Sequence, residues 1–151
     1  MVMAAAILLA GVQAAGAWEA MPAQDIPDML FGCRSGEESE RRFYALSLRK
    51  IGNNDLVEIR GPLPGEEAAA SVVLRGAFES SSVQQTDEAV RFRVEYRGND
   101  AAGVDTRLTV VMTAPQSAHE IRAVNFTMVR AGRTMTVENC SAMPPMPEAQ
   151  Q

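Results

Sequence analysis

Residues 88–98 constrain the chain more than any other stretch. Val90, Phe92, Val94 and Tyr96 alternate there with Arg91, Arg93, Glu95 and Arg97. That period of two belongs to a β-strand with one buried face. The segment 104–113 supplies a hairpin neighbour, with Leu108, Val110 and Met112 on one side. One alignment places Arg97 opposite Asp105 and Glu95 opposite Arg107. It also sets Val94 against Leu108, Phe92 against Val110 and Val90 against Met112, so charge and apolar patterning agree on it.

Two further hairpins follow from turn chemistry. A strand over 120–130 presents Val124, Phe126 and Met128, and Ala131-Gly132 reads as a two-residue loop. The loop aligns Met128 with Met135, Thr127 with Thr136 and Phe126 with Val137. The stretch 36–50 reads in two ways. As a helix it has a capping box in Ser35 and Glu38, i,i+4 pairs in Glu37/Arg41 and Glu38/Arg42, and Gly52 as a stop. As a strand over 43–50 it puts Tyr44, Leu46 and Leu48 on one face. The turn at Ile51-Gly52-Asn53-Asn54 then sets Leu48 against Val57 and Leu46 against Ile59.

A strand at 71–78, with Val72 and Leu74, precedes a polar loop from Ser80 to Asp87. Pro62, Pro64 and Gly65 break the chain ahead of it, and Glu66 to Ala70 reads as a short helical turn. The fold expected is mainly β: an antiparallel meander of six to eight strands, a curled sheet or small barrel, closed by one disulfide. An α+β fold with one N-terminal helix over about 36–50 is the alternative.

The disulfide follows from export. Residues 1–17 carry no charge, run apolar through Ala4 to Ala10, and end in Ala15-Gly16-Ala17, the small-x-small pattern of a signal-peptidase site. Cleavage there makes Trp18 the first mature residue. The run is too short to span a bilayer, which takes roughly 20 apolar residues. Only Cys33 and Cys140 occur, with no CxxC spacing, so in an oxidising compartment they pair. Inward parity falls on Met135, Val137 and Asn139. Cys140 is thus expected on the outer face, the bond acting as an external clasp. The domain plan is a signal peptide at 1–17, an N-terminal arm at 18–32, one β-rich domain at 33–141 and a disordered Pro/Met tail at 142–151.

Composition excludes more than it selects. The net charge of −5 gives no electrostatic basis for binding nucleic acid or an anionic membrane. No GxSxG, HExxH or P-loop motif is present. The single histidine, His119, lies in a polar loop, where a solvated surface role is the ordinary one. The acidic pairs Glu37/Glu38, Glu66/Glu67 and Asp87/Glu88 lie in polar stretches and read as solvated faces. Met143 and Met146 have MxxM spacing, but two tail methionines make a poor copper site. No cofactor, metal or catalytic residue is assigned.

Phe31-Gly32-Cys33 near the beginning and Glu138-Asn139-Cys140 near the end resemble the layout of the small exported β-barrel inhibitors of lysozyme in Gram-negative bacteria. The resemblance covers only those two ends. The Ser-Gly…Tyr loop such inhibitors insert into the enzyme has no counterpart, the nearest text being Arg75-Gly76-Ala77-Phe78. What it implies is an exported binding domain, without assigning functional residues.

The expected function is therefore that of an exported, periplasmic or secreted, non-enzymatic binding module for an envelope protein. Arg91 and Arg93, joined by Arg122 or Arg130, are the candidate partner-binding face. The alternative is a small β-barrel holding an apolar ligand.

Overall fold

The computed structural model describes residues 16–21, 28–35, 42–51, 54–63, 69–116 and 121–143. They form ten strands: β1 (Trp18–Ala20), β2 (Met29–Ser35), β3 (Arg42–Ile51), β4 (Asn54–Pro62), β5 (Ala69–Arg75), β6 (Phe78–Gln85), β7 (Ala89–Asn99), β8 (Asp105–Pro115), β9 (Ala123–Arg130) and β10 (Arg133–Ala142). All pair antiparallel in one sheet of order β1-β6-β7-β8-β9-β10-β2-β3-β4-β5. No helical element occurs among the described residues. The mainly-β expectation holds, and the α+β alternative fails where it can be read, because Arg42–Ile51 is a strand. Residues 1–15, 22–27, 36–41, 52–53, 64–68, 117–120 and 144–151 lie outside the described residues, and with them fall most of the expected signal peptide, His119 and the expected tail.

The strand count exceeds the expected six to eight for identifiable reasons. β6 occupies the stretch read as a polar loop. Its inward side is thinly apolar: Ser81 is buried there and satisfied by donating its Oγ–H to the carbonyl of Met21 at 2.6 Å. β1 and β2 lie largely within the stretch read as an arm. β2 is fixed by ladders on both sides, to β3 and to β10.

Most of the register follows the hydrophobic pattern. Leu46 faces Ile59, Leu48 faces Val57, Met128 faces Met135 and Phe126 faces Val137. Ala131 and Gly132, at φ 51° and 77°, make the left-handed two-residue turn that matches strand twist. The β7–β8 ladder differs from expectation by two residues. Arg97 lies opposite Arg107, Asn99 opposite Asp105, and Val94 opposite Val110. A shift of two keeps every apolar residue on its face and gives up both charge pairs.

The cause lies in the connecting turn. The Asp100 carboxylate accepts the N–H groups of Ala102 and Val104 at 2.9 Å each and the Nε–H of Arg130 at 2.7 Å. A buried, fully hydrogen-bonded carboxylate outweighs two solvated ion pairs.

The ladder is open, with β1 and β5 at its edges, so the sheet does not close into a barrel. The expected barrel is thus overturned, and the apolar-ligand alternative loses its container. The chain nevertheless passes from β5 to β6 through Gly76 and Ala77 alone. Two linking residues reach at most about 11 Å. In a flat sheet these strands would stand eight spacings apart, about 38 Å. The two halves, β2–β5 and β6–β10, are therefore brought together over one apolar face. A single buried cluster spans them, including Phe31, Leu46, Ile59, Leu74, Val94 and Phe126. Tyr44 on β3 and Phe126 on β9 meet edge-to-face with ring centroids 6.3 Å apart.

Gly61 makes room for Tyr44. A Cβ at Gly61 would collide with the Tyr44 ring, whose hydroxyl donates to the carbonyl of Pro62 at 2.7 Å.

Cys33 and Cys140 are bonded, directly opposite each other in the β2–β10 ladder. The bond is not an external clasp. Both cysteines are 3% exposed and belong to the core. A bulge between Val137 and Cys140 inserts one residue relative to β9, with Asn139 at φ 61°. The extra residue reverses side-chain parity and turns Cys140 inward.

Candidate functional site

Strand pairing assembles the outer face of β1, β6, β7 and β8 in rows. Trp18, Gln84, Arg91 and Thr113 stand side by side in one row, and Ala20, Ser82, Arg93 and Val111 in the next. Ser80, Glu95, Thr109 and Thr127 make a third, followed by Arg97 and Arg107. Alternation along β7 sends Val90, Phe92, Val94 and Tyr96 inward and leaves the three arginines and Glu95 outside.

At the β1 end of this face the Arg93 guanidinium lies over the Trp18 ring, 4.3 Å from its centroid. A cation over the indole face is held by the ring quadrupole. Arg93 Nε also stands 3.5 Å from Glu95 Oε1. The stack reaches across β6 and fixes β1 to β7. A backbone contact holds the other end of β1, with Met21 N–H donating to the Ser81 carbonyl at 2.9 Å.

The four arginines of the sequence reading do not share one place. Arg91 and Arg93 stand two residues apart on the outer face. Arg130 has the opposite parity on β9 and is committed to Asp100. Burial alone would raise the Asp100 pKa; the hydrogen bonds from Arg130, Val104 and Ala102, with the guanidinium charge, overcome this and hold it below the ordinary carboxylate value. Arg122 precedes β9 at its other end, where its N–H donates to the Thr113 carbonyl at 2.8 Å. Arg122 and Arg130 thus bracket a strand about 27 Å long.

Two residues of this face were not singled out by sequence reasoning. Trp18 is the chain's sole tryptophan; that rarity is a signal, but its partner is 75 positions away. Arg97 was assigned to Asp105, and only the observed register shows it facing Arg107. Among the other sequence candidates, Asp87 and Glu88 are exposed in the β6–β7 turn. Glu37, Glu38, Glu66, Glu67 and Met146 lie outside the described residues. Among the described residues no group of three or more His, Cys, Asp or Glu side chains is arranged to hold a metal ion.

Comparison with known proteins returned no matching family model, no matching curated protein and no matching solved structure.

Proposed function

We propose that the protein is an exported, non-enzymatic binding module that recognises an acidic protein partner in the cell envelope through the outer face of β1, β6, β7 and β8. The observation that carries this reading is Arg93 stacked on Trp18 beside Arg91, on a chain whose net charge is −5. Tryptophan and arginine dominate the energetics of protein interfaces, because they bury large area and retain directional polar groups. A rigid Trp–Arg pair also limits the side-chain entropy lost on binding.

Export is supported by the apolar, uncharged leader and by a buried disulfide, which persists in oxidising compartments. β1 begins at Trp18, so cleavage after Ala17 leaves that strand whole. No helix among the described residues is long and apolar enough to cross a membrane.

The test is capture from envelope extract with the disulfide-bonded protein, an R91Q/R93Q variant and an R49Q control. Arg49 lies on the outer face of β3, in the other half of the sheet. A partner retained by wild type and R49Q but lost by R91Q/R93Q is the expected result. Equal recovery by all three proteins would sink the reading.

A further inference from the structure

We infer that Arg97 and Arg107 form an oxyanion subsite on this same outer face, taking one carboxylate of an acidic partner segment. The inference rests on the proposed protein-binding role and extends the contact surface along β7. Arg97 and Arg107 are directly opposed in the β7–β8 ladder, and both are exposed. Opposed like charges on neighbouring strands destabilise a sheet. Between exposed guanidinium groups that cost is small, and a counter-charge bound between them removes it.

A second opposed arginine pair in the molecule provides the control. Arg130 faces Arg133 across the β9–β10 hairpin, and there the buried Asp100 carboxylate takes Arg130 at 2.7 Å. Arg97 and Arg107 have no such partner among the described residues. Among the described residues neither makes a side-chain hydrogen bond or an ion pair. Three acids lie along β6, β7 and β8 near the pair: Glu95, in the adjacent row, is engaged by Arg93, Asp105 lies opposite Asn99, and Glu79, the exposed bulge residue of β6, forms no ion pair with either arginine.

Two guanidinium groups on side chains whose Cβ atoms stand roughly 5 Å apart can hold one carboxylate between them. Arg91 lies six residues along β7, about 20 Å away. An extended acidic segment of that length therefore reaches from the Trp18–Arg93 stack to the Arg97–Arg107 pair.

The experiment titrates the disulfide-bonded, 15N-labelled protein with a hexaglutamate peptide, hexaglutamine serving as the neutral control. The Arg97 and Arg107 Nε–Hε resonances should shift with hexaglutamate only. R97Q and R107Q should each weaken binding about 5-fold or more, while R49Q should not. The double variant should lose little beyond either single change, because the two arginines share one oxyanion. In the absence of peptide, R97Q and R107Q should match or exceed the wild-type Tm, since each relieves a like-charge contact; a purely structural arginine would lower it.

Unchanged affinity in R97Q and R107Q overturns the subsite, as does an equal loss in R49Q, which would mark a general charge effect. If R91Q/R93Q loses binding while R97Q and R107Q keep it, the wider face survives and the subsite does not. If R97Q and R107Q lose binding while R91Q/R93Q keeps it, the subsite stands and the Trp18 end fails.

Discussion

The two halves of the sheet are joined at two places, and the joints use different chemistry. At the seam, among the described residues, β10 meets β2 through three residue pairs and a further backbone bond from the Met143 N–H to the Leu30 carbonyl at 2.8 Å, and the buried Cys33–Cys140 bond crosses it. At the corner, where β5 passes into β6, the joint is polar. Asp55 accepts the N–H groups of Ala77 at 3.1 Å and Phe78 at 3.3 Å through its carboxylate, and that of Gly76 at 2.9 Å through its carbonyl. Asp100 fixes the neighbouring turn, from which the Ala101 N–H reaches the Val73 carbonyl on β5 at 3.0 Å. The seam therefore acts largely by restricting the unfolded chain, whereas the corner acts through contacts present only in the folded state. The corner is also the joint that depends on pH.

The largest effect is expected at the seam. Replacing both cysteines by alanine releases a 107-residue loop, worth up to about 4.7 kcal/mol in the chain-entropy model. Denaturant midpoints at constant slope would measure it. A loss below about 1 kcal/mol would mean that the seam is held by packing alone.

Asp100→Ala comes next, at about 3 kcal/mol, because it leaves Arg130 with 19% of its side chain exposed and no partner. It should also free the β7–β8 register, visible as lost protection of the Val104 amide in hydrogen exchange. Asp55→Ala should cost about 2 kcal/mol, since it removes two hydrogen bonds to a charged acceptor but strands no cation. Were it to cost as much as the disulfide, the ranking of the two joints would be reversed.

Acid separates the joints most cleanly. Because Asp100 titrates below its unfolded value, its contribution is complete above about pH 4. It is lost as the pH falls through the folded-state pKa. The stability gap between wild type and Asp100→Asn should therefore narrow as the pH falls below about 4. The corresponding gap for the cysteine variant should show no such dependence traceable to Asp100, and a parallel narrowing in both would break the distinction.

Hairpins with short, well-marked turns were legible in the sequence. The Ala131-Gly132 turn fixes its own register, so Phe126 and Val137 are paired by local chemistry. The β7–β8 register was not legible, because it depends on Arg130, which arrives from β9 to satisfy Asp100. β6 was hidden because the hydrogen bond that the Ser81 hydroxyl donates to the N-terminal segment makes a buried serine acceptable on its inward side. The candidate site was legible in part. Arg91 and Arg93 were marked by alternation; Arg122 and Arg130 stand eight residues apart on the strand expected over 120–130, so their separation was legible, whereas the commitment of Arg130 to Asp100 was not. Trp18 came to the face only through a pairing distant in sequence, and Arg107, expected there opposite Glu95, came to oppose Arg97 only through the shifted register.

By itself the sequence determined the class of structure, the inward-facing residues of most strands and the identity of the disulfide. Those follow from a period of two and from having only two cysteines to pair. Tertiary structure decided the open order of the sheet, the two-residue passage from β5 to β6, the inward turn of Cys140 at its bulge and the opposition of Arg97 to Arg107. At Cys140 the bulge breaks the alternation itself; one physical reason covers the other three. Alternation fixes which face a side chain takes, and a slip of two residues or a reordering of strands leaves the faces unchanged. Only contacts between distant segments distinguish those alternatives, as the carboxylate of Asp100 does for β7 and β8.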